Sequence, residues 1–515
     1  MDRKLPKVIA IYLPQFHETK DNNMWWGKGF TDWDTIRSAD TCFEGHNAPW
    51  VPYENNYYDL SKYETMKWQA EVAKKYGIDG FSFYHYYFAN GKMELELPAE
   101  NLLKWKDIDM PFCFNWASES WIRSWSKISG NVWSEKYEKE DEDYSNGVLV
   151  RQEYGGVNEW IKHFEYLLPF FKDPRYICID NKPVFIFYNP NDIICLDEMA
   201  ILWKRLAKES GLNGLYLIGV DINVVGTNLD ASIVHEPRRA INSLNDIGKT
   251  VNQNGVRCYE SKDVWNKIVD SLPYNGCKTY YTGVAGYDDT PRRGKRGKCI
   301  TGNIPELFGN GIERLLERSI QEGNELLFIN AWNEWGEGMY LEPDERDKFT
   351  FLEAFKKAKI RTFEKSDKIK KEDKRDYADA RTEILEMKKE NAKYKYFTYI
   401  LNIWLETERN GKFNFCEYFA LNGIESVAIY GMSMLGKQLY QQLKKEGVLV
   451  AYGIDRIIGK YGEEFTIIRP EEEYPEVDAI IVTTYDNTSI IETLKGKCAA
   501  KILTLDKLIE RFWEN

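Results

Sequence analysis

The run ELLFIN, residues 325–330, is the last of eight short apolar runs within residues 1–360. Each run is rich in β-branched or aromatic residues and ends in polar or aromatic ones, which is typical of strands buried on both faces of a parallel sheet. The other seven runs are VIAIYL (8–13), GFSFYHYY (80–87), FCFNW (112–116), VFIFY (184–188), LYLIGV (215–220), ASIVH (231–235) and YYTGVA (280–285).

Helical patterns separate several of these runs. The alternation of eight strands with helices predicts an α/β fold, and specifically a (β/α)8 TIM barrel. The connection at 221–230 is too short for a full helix, so one unit of the barrel is expected to be degenerate. The predicted helices span residues 61–76, 157–171, 196–209, 261–271, 307–322 and 349–361.

The composition changes sharply after Phe363, where charges of both signs alternate and apolar residues become sparse. This pattern is typical of a solvated helical connector. Further apolar runs at 426–430, 448–455 and 477–484, and a closing strand and helix within 501–512, then predict a small doubly wound unit. We therefore predict three parts: a catalytic barrel over 1–362, a charged connector over 363–412 and a Rossmann-like domain over 413–515.

The turn GMSMLG, from Gly431 to Gly436, resembles a dinucleotide-binding fingerprint, but Ser433 replaces the middle glycine. Asp455 lies where a ribose-binding acid would be expected. Gly431, Gly436 and Asp455 are thus weak candidates for binding a nucleotide or a nucleotide sugar. A structural or partner-docking module is the alternative.

The overall charge and the cysteine pattern exclude several classes of function. A formal net charge of -12 argues against a nucleic-acid partner. No apolar run approaches the roughly 20 residues of a membrane helix, so we expect a soluble, cytoplasmic protein, with peripheral membrane association left open. Nine dispersed cysteines and five dispersed histidines show no metal-binding spacing, and neither a metal nor a cofactor is expected for the barrel chemistry.

The segment NAWNEWGEGMYLEP, residues 330–343, follows the eighth predicted strand and contains Glu334 and Glu337. In a barrel, loops at the carboxyl ends of the strands build the active site. Two neighbouring carboxyl groups with different pKa values can divide the proton transfers of glycosidic chemistry. The alternative is that one glutamate caps the following turn or pairs with an arginine.

Seven ordered motifs make residues 8–360 recognisable. The motifs are IYLPQFH (11–17), WWGKGFTDW (25–33), FEGH (43–46), YGIDGFSFYHYYF (76–88), FCFNWASESW (112–121), DDTPRR (288–293) and NAWNEWGEGMYLEP (330–343). With these motifs, residues 8–360 resemble the WbsX-like family of polysaccharide-biosynthesis proteins, which are labelled glycosyltransferases and are related to glycoside hydrolase family 99.

The resemblance implies a barrel that acts on α-linked, mannose-like sugars with retention of configuration. It implies that Glu334 removes the proton of the sugar 2-hydroxyl, whose oxygen displaces the leaving group to form a 1,2-anhydro intermediate. Glu337 then protonates the departing oxygen and activates the incoming water or alcohol. Transfer in surface-polysaccharide synthesis is favoured; an endo-acting α-glycoside hydrolase and a non-catalytic carbohydrate-binding or scaffold protein remain the alternatives.

Candidate substrate-binding residues lie at strand ends and in the first loop, where aromatic faces and polar groups suit a sugar ring. Glu119 is the counterpart of a glutamate in a His-x-Glu-Pro-Tyr segment of the family 99 hydrolases, which this chain lacks. The candidates are Tyr12, Trp26, Phe30, Trp33, Tyr84, His85, Asn115, Trp116, Glu119, Trp121, Glu236, Asp288 and Asn333.

Four of these candidates have structural alternatives. Trp33 fits a core position equally well, and His85 fits a histidine whose hydrogen bonds are satisfied inside the protein. Glu119 has Arg123 as an alternative ion-pair partner. Asp288, in a loop with Arg292 and Arg293, fits either ordering of the cleft or a local cap.

Overall fold

The computed structural model describes residues 5–88, 91–122, 148–369, 393–394, 396–412, 414–456, 466–485 and 487–514. The chain divides into two compact units, residues 1–386 and 387–515. Each unit contains its own parallel sheet. Most of the predicted charged connector, residues 370–392, and the alternative ion-pair partner Arg123 lie outside the described residues.

The first unit is a (β/α)8 barrel, as the eight apolar runs predict. Neighbouring strands are parallel, and the first strand pairs with both the second and the eighth. The seventh strand is split at Tyr281; its first segment pairs with the sixth strand and its second with the eighth, so the circuit closes through one residue. The strands are β1 (Lys7–Tyr12), β2 (Gly80–Tyr87), β3 (Phe112–Trp116), β4 (Lys182–Phe187), β5 (Tyr216–Val220), β6 (Ala231–Ile233), β7 (Thr279–Tyr280 and Thr282–Val284) and β8 (Leu326–Asn330).

The helices of the first unit each bury at least two residues. They are α1 (Lys20–Trp26), α2 (Asp32–Arg37), α3 (Tyr63–Tyr76), α4 (Leu97–Lys104), α5 (Val157–Phe171), α6 (Leu196–Glu209), α7 (Arg238–Asp246), α8 (Ser261–Val269), α9 (Thr290–Arg293), α10 (Pro305–Gln321) and α11 (Thr350–Lys365). In α5, for example, Trp160, Phe164, Leu167 and Phe171 are buried at helical spacing. Residues 221–230 join β5 to β6 without a helix, which confirms the degenerate unit.

Three additions at the strand ends were not apparent from the apolar runs. The segment between β1 and α3 contains α1 and α2. A small three-stranded sheet joins residues Val251–Gln253, Val256–Glu260 and Lys298–Thr301. A hairpin pairs Asn333–Glu334 with Met339–Tyr340 directly after β8. These elements are too short to produce a clear periodic pattern in the sequence.

The second unit contains a five-stranded parallel sheet. Across the sheet, the strands follow the order Ile467–Ile468, Leu449–Ile454, Ser426–Tyr430, Ala479–Val482 and Lys501–Thr504. The parallel sheet predicted from the apolar runs is thereby confirmed. Among the described residues, no helix is long and apolar enough to cross a membrane. The elements are β9 (Ser426–Tyr430), β10 (Leu449–Ile454), β11 (Ile467–Ile468), β12 (Ala479–Val482) and β13 (Lys501–Thr504), with α12 (396–409), α13 (Phe415–Leu421), α14 (Met434–Lys445), α15 (Thr488–Lys497) and α16 (Leu505–Glu514).

Candidate active site

A cleft of about 320 Å³ opens at the carboxyl ends of the barrel strands. Its lining comes from residues at the ends of six strands and from the loops that follow β7 and β8. Aromatic rings and ionisable groups share this lining, as a sugar-binding cleft requires. The lining residues are Leu13, Gln15, Tyr84, Tyr86, Ala117, Glu119, Trp121, Tyr188, His235, Arg292, Arg293, Asn330, Glu334, Glu337 and Met339.

The guanidinium group of Arg292 binds both predicted catalytic carboxylates. Its Nη1 donates to Oε1 of Glu337 at 2.8 Å, and its Nη2 donates to Oε1 of Glu334 at 3.0 Å. Nη2 also lies 3.4 Å from Oδ2 of Asp32, at the start of α2. The rigid fork of an arginine fixes carboxylate positions better than a lysine would. One side chain from the β7 loop therefore sets the relative positions of both glutamates.

Burial separates the two glutamates in character. The Glu334 side chain is 7% exposed, whereas that of Glu337 is 31% exposed. Burial, assisted by the charges of Glu337 and Asp32, raises the pKa of Glu334 to about 8, although Arg292 opposes the shift. Burial also raises the pKa of Asp32. Since three carboxyl groups share one guanidinium, the cluster retains a proton that can be exchanged near neutral pH.

Gly336 allows Arg292 to reach the glutamates on either side of it. A Cβ atom at this position would lie 2.7 Å from Nη2 and 2.9 Å from Nε of Arg292, closer than real Cβ atoms come to other atoms. The arginine therefore packs against the bare backbone between Glu334 and Glu337. The glycine in the NEWGEG motif follows from this close approach.

Asn333 attaches the hairpin that carries Glu334 to the first strand. Its Oδ1 accepts a hydrogen bond from the Leu13 backbone N–H at 2.8 Å, and its Nδ2 donates to the Leu13 carbonyl oxygen at 2.9 Å. The Asn333 side chain is fully buried. These two bonds extend the backbone pairing of β1 beyond its last residue and place Glu334 over the cleft.

A buried hydrogen-bond network supports the hairpin from below. The Glu342 carboxylate accepts bonds from Tyr58, Gln69 and the indole N–H of Trp335. The Trp335 ring stacks on Tyr340 with centroids 3.7 Å apart. Because Trp335 lies directly between the hairpin strands, this packing fixes the backbone that carries both catalytic candidates.

The loop that carries Arg292 is attached to the hairpin and to the FEGH segment. The Asp288 backbone N–H donates to the Glu337 carbonyl oxygen at 2.7 Å, and the Asp288 carboxylate lies 2.6 Å from Nε2 of His46. Nδ1 of His46 accepts the Cys42 backbone N–H, so Nε2 carries the proton.

Burial raises the pKa of the nearby Cys299 thiol. His46, Asp288 and Cys299 lie close enough to hold an ion, but the His46–Asp288 hydrogen bond and the raised pKa of the Cys299 thiol fit a hydrogen-bonded anchor better than a metal site.

Residues 8–355 match the sequence model of a family described as Glycosyltransferase WbsX. The chain belongs to the WbsX glycosyltransferase family. The uncharacterized protein WxcX of Xanthomonas campestris pv. campestris, found in two strains, is 30% identical over 368 residues, which cover 69% of this chain and 50% of that protein. The chain thus spans about half the length of these curated relatives.

Two solved structures align with more than two thirds of this chain. A family 99 endo-alpha-mannosidase from Bacteroides thetaiotaomicron, in complex with bis-tris-propane, aligns with a TM-score of 0.43 and 13% identity over 70% of this chain and 98% of that one. A glycoside hydrolase-like protein aligns with a TM-score of 0.42 and 14% identity over 69% of this chain and 94% of that one.

Five sequence-predicted residues of this WbsX-family chain meet in the cleft: Tyr84, Glu119, Trp121, Glu334 and Glu337. Trp121 packs edge-on against Tyr86, with ring centroids 5.1 Å apart. Oε1 of Glu119 accepts a hydrogen bond from Asn189, and burial raises the pKa of the Glu119 carboxyl. The bond from Asn189 thus holds Glu119 in the lining of the cleft.

Three predicted contacts belong to the structure beneath the cleft. Trp33 is buried against Phe16 and Trp335, and its indole N–H donates to the Tyr58 carbonyl. Tyr12 donates to Gln69 inside the barrel. The Asn333 amide forms hydrogen bonds with the backbone of Leu13, directly after β1. These side chains hold the hairpin, and none of them lines the cleft.

A second group is buried behind β2 and β3 or in the first loop. His85 bonds His163 through Nε2 at 2.8 Å, and burial lowers the pKa of His85 to about 3, so it is a neutral core residue. Trp116 packs on the same His163. Asn115 is 2% exposed and does not line the cleft. Trp26 and Phe30 pack on each other, with ring centroids 5.9 Å apart, and also lie outside the cleft lining.

Two acidic residues that were predicted to bind substrate form hydrogen bonds with other residues of the protein instead. Oε2 of Glu236 accepts the Ala240 backbone N–H at the start of α7, and the residue lines a different cavity. Asp288 binds His46 and the Thr290 backbone N–H. Barrel geometry alone predicted Glu236 as a cleft residue, but the capping bond directs its side chain away.

Several cleft residues at or just after strand ends were not among the candidates predicted from the sequence. Tyr188 comes directly after β4, His235 follows β6 and Asn330 ends β8. Nδ2 of Asn330 bonds the Glu236 carbonyl and Nε2 of His235. The sequence does contain a signal for these three residues, because the apolar runs 184–188, 231–235 and 325–330 end in them. Asp32 gave no comparable signal, since its contact with Arg292 depends on the fold of the first loop.

In the second unit, the candidate nucleotide-binding residues have structural tasks. A Cβ atom at Gly436 would lie 2.1 Å from the Gly431 carbonyl oxygen, so this glycine lets α14 pack against the turn. Gly431 itself has a φ of 93°. Oδ2 of Asp455 accepts the Met432 backbone N–H at 2.7 Å. Nucleotide binding by this turn stays a prediction.

We expect Gly336→Ala to reduce kcat/KM about a hundredfold, because a displacement of about 1 Å at a catalytic group has an effect of this size. The added methyl group would push Arg292 away from both glutamates. The measurement is turnover of any sugar donor that the wild type accepts. Gly496→Ala is the control, since a Cβ atom there meets nothing within 4 Å; equal activity of all three proteins would contradict the role given to Arg292.

We expect Asn333→Ala to lower the free energy of unfolding of the barrel by about 2 kcal/mol, because the buried N–H and C=O of Leu13 lose their partner. Chemical denaturation measures this change. Asn101→Ala provides the comparison, since the Asn101 amide makes only a 3.4 Å bond to the Ser61 carbonyl. If the two variants lose equal stability, the Asn333 bonds do not anchor the hairpin.

Proposed function

We propose that this chain is a retaining glycosyltransferase of surface-polysaccharide assembly, in the synthesis of O-antigen or capsule. It acts on an α-linked, mannose-like sugar in the cytoplasm, with Glu334 and Glu337 as catalytic residues. The observation that carries the proposal is that Arg292 holds both carboxylates in one cleft at the mouth of the barrel. The sugar class follows the sequence resemblance described at the start.

The environments of the two glutamates suit different proton transfers. Glu334 is the deeper group, and its raised pKa makes it a stronger base once it is ionised. It takes the proton of the sugar 2-hydroxyl, and the 2-oxygen attacks the anomeric carbon to give the 1,2-anhydro intermediate. Glu337 is more exposed, so it can receive the proton of an acceptor that enters from solvent.

Arg292 assists both steps without entering the reaction. Its fork keeps the carboxylates apart and oriented, and it limits their mutual repulsion when both are ionised. Tyr84, Tyr86 and Tyr188 surround the cleft as neutral hydroxyls, since burial raises the pKa of each phenol. These neutral groups suit hydrogen bonding to the hydroxyls of a sugar.

Transfer and hydrolysis differ only in the group that opens the intermediate. A sugar hydroxyl gives a new glycoside, whereas water gives the free sugar. Synthesis is the better fit for a protein that acts in the cytoplasm, because polysaccharide hydrolysis is mostly an exported activity. The same two glutamates serve either outcome.

The test is incubation with α-mannosyl oligosaccharides and, separately, with a panel of nucleotide sugars plus glycan acceptors. We expect turnover of a nucleotide sugar with retained configuration, detected by mass spectrometry and NMR. Glu334→Gln and Glu337→Gln should each lower kcat by at least about a hundredfold, the usual range for a general acid or base.

The matched control for these variants is Glu18→Gln, which removes an exposed carboxylate of the first loop. Unchanged turnover in both Glu334→Gln and Glu337→Gln would contradict the catalytic assignment. Turnover of oligosaccharides alone would select the hydrolase. No turnover of any substrate together with measurable glycan binding would select the non-catalytic binding protein.

A pH profile tests the base assigned to Glu334. Because only the ionised form accepts a proton and its pKa is raised to about 8, kcat/KM should rise with pH until about 8 and then level off. Asp32→Asn removes a charge that raises this pKa, so the rising part of the pH profile should move to lower pH. A rise that stays at the same pH in Asp32→Asn, or a kcat/KM that falls between pH 6 and 8, would contradict the assignment.

A further inference from the structure

A group of cations, one of which lines the cleft, lies on the loop after β7 and on the small three-stranded sheet of a chain whose net charge is -12. Arg293 lines the cleft beside Arg292. Lys295 and Lys298 follow it along the same loop, and Arg257 lies on the adjacent strand of the small sheet, directly opposite Lys298. We call Arg257, Arg293, Lys295 and Lys298 the basic rim.

The backbone of the basic rim is closely fixed. The Arg257 N–H donates to the Gly297 carbonyl at 3.0 Å, and the Lys298 N–H donates to Oδ1 of Asp289 at 2.6 Å. A Cβ atom at Gly255 would lie 2.8 Å from the Lys295 carbonyl oxygen, so the two loops are in close contact. The four cations are therefore held near one another by the fold.

Few carboxylates compensate these cations. Asp289 pairs with Nε of Arg293 at 3.1 Å, while the Arg293 side chain remains 56% exposed. Within the part of the chain that the structure describes, Arg257, Lys295 and Lys298 have no carboxylate at ion-pair distance. Partial burial and the positive charges of Arg257 and Arg293 lower the pKa of Lys298, although the charge of Asp289 opposes the shift. Like charges opposed on neighbouring strands cost stability, and a bound polyanion would remove this cost.

We propose that the basic rim binds the diphosphate group of a glycosyl diphosphate donor, with the attached sugar inside the cleft. This inference rests on the proposed function and names its donor class. Arginine and lysine side chains at the edge of a catalytic cleft suit phosphate oxygens. A neutral oligosaccharide would gain nothing from such a group of charges.

The first step balances without an acid at the leaving group. Glu334 takes the proton of the 2-hydroxyl, the 2-oxygen bonds to the anomeric carbon, and the carbon–oxygen bond to the diphosphate breaks. The electron pair leaves with the diphosphate, whose added negative charge the basic rim stabilises. The acceptor oxygen then bonds to the anomeric carbon while its proton goes to Glu337, and the released 2-oxygen recovers its proton from Glu334.

The same diphosphate chemistry occurs in two kinds of donor, a nucleoside diphosphate sugar and a polyprenyl diphosphate sugar. Calorimetric titration with inorganic pyrophosphate, uridine diphosphate, guanosine diphosphate and geranyl diphosphate separates them. Preference for a nucleoside diphosphate indicates the first source, and preference for the prenyl compound indicates the second. Either preference supports the diphosphate site.

The test compares wild type with a double variant, Arg293→Gln plus Lys295→Gln. We expect the double variant to bind pyrophosphate at least about tenfold more weakly, since charge-assisted hydrogen bonds to phosphate are lost. The control is Lys62→Gln plus Lys104→Gln, which removes two exposed lysines whose ion pairs are 3.9 Å long. It should bind pyrophosphate as the wild type does.

Several results would overturn the inference. These are no binding of any of the four compounds to the wild type, unchanged binding in the rim variant, or an equal loss in the control variant. Thermal unfolding of each protein establishes that the variants are folded. Glu334→Gln and Glu337→Gln should retain pyrophosphate binding, so a failure of the catalytic proposal and a failure of the anion site give different results.

Discussion

The sharing of one guanidinium by three carboxyl groups is the constraint on which the site depends. Arg292 comes from the β7 loop, Glu334 and Glu337 from the hairpin after β8, and Asp32 from the loop after β1. Without the arginine, three acids in a partly buried cleft would repel one another and take up protons. With it, the cluster stays compact and still holds an exchangeable proton. The chemistry proposed for the cleft uses this incomplete neutralisation.

The surrounding fold keeps this cluster in place. Asn333 joins the hairpin to β1, Glu342 binds the ring of Trp335, and Asp288 joins the arginine loop to Glu337. None of these three side chains lines the cleft. The motif NAWNEWGEGMYLEP therefore contains two kinds of residue: the glutamates that line the cleft and the residues that hold the glutamates.

Much of the barrel could be predicted from the sequence because buried parallel strands form continuous apolar runs and the helices have clear periodicity. The cleft was predicted less completely. Glu334 and Glu337 follow from the motif, but a motif does not distinguish a residue that lines the cleft, such as Trp121, from one that faces the core, such as Trp33. Glu236 was predicted from its strand end, and only the position of the Ala240 N–H shows where its carboxylate turns. Short segments such as 298–301 depend on tertiary pairing and leave no pattern.

The bond between Asn333 and Leu13 joins residues 320 positions apart in the chain. Contacts of such long sequence separation are costly to form early, because the intervening chain must first be ordered. The catalytic hairpin therefore reaches its working geometry only when the last strand joins the first. We therefore expect assembly of the site to be a late folding event, which a partly folded barrel would not have reached.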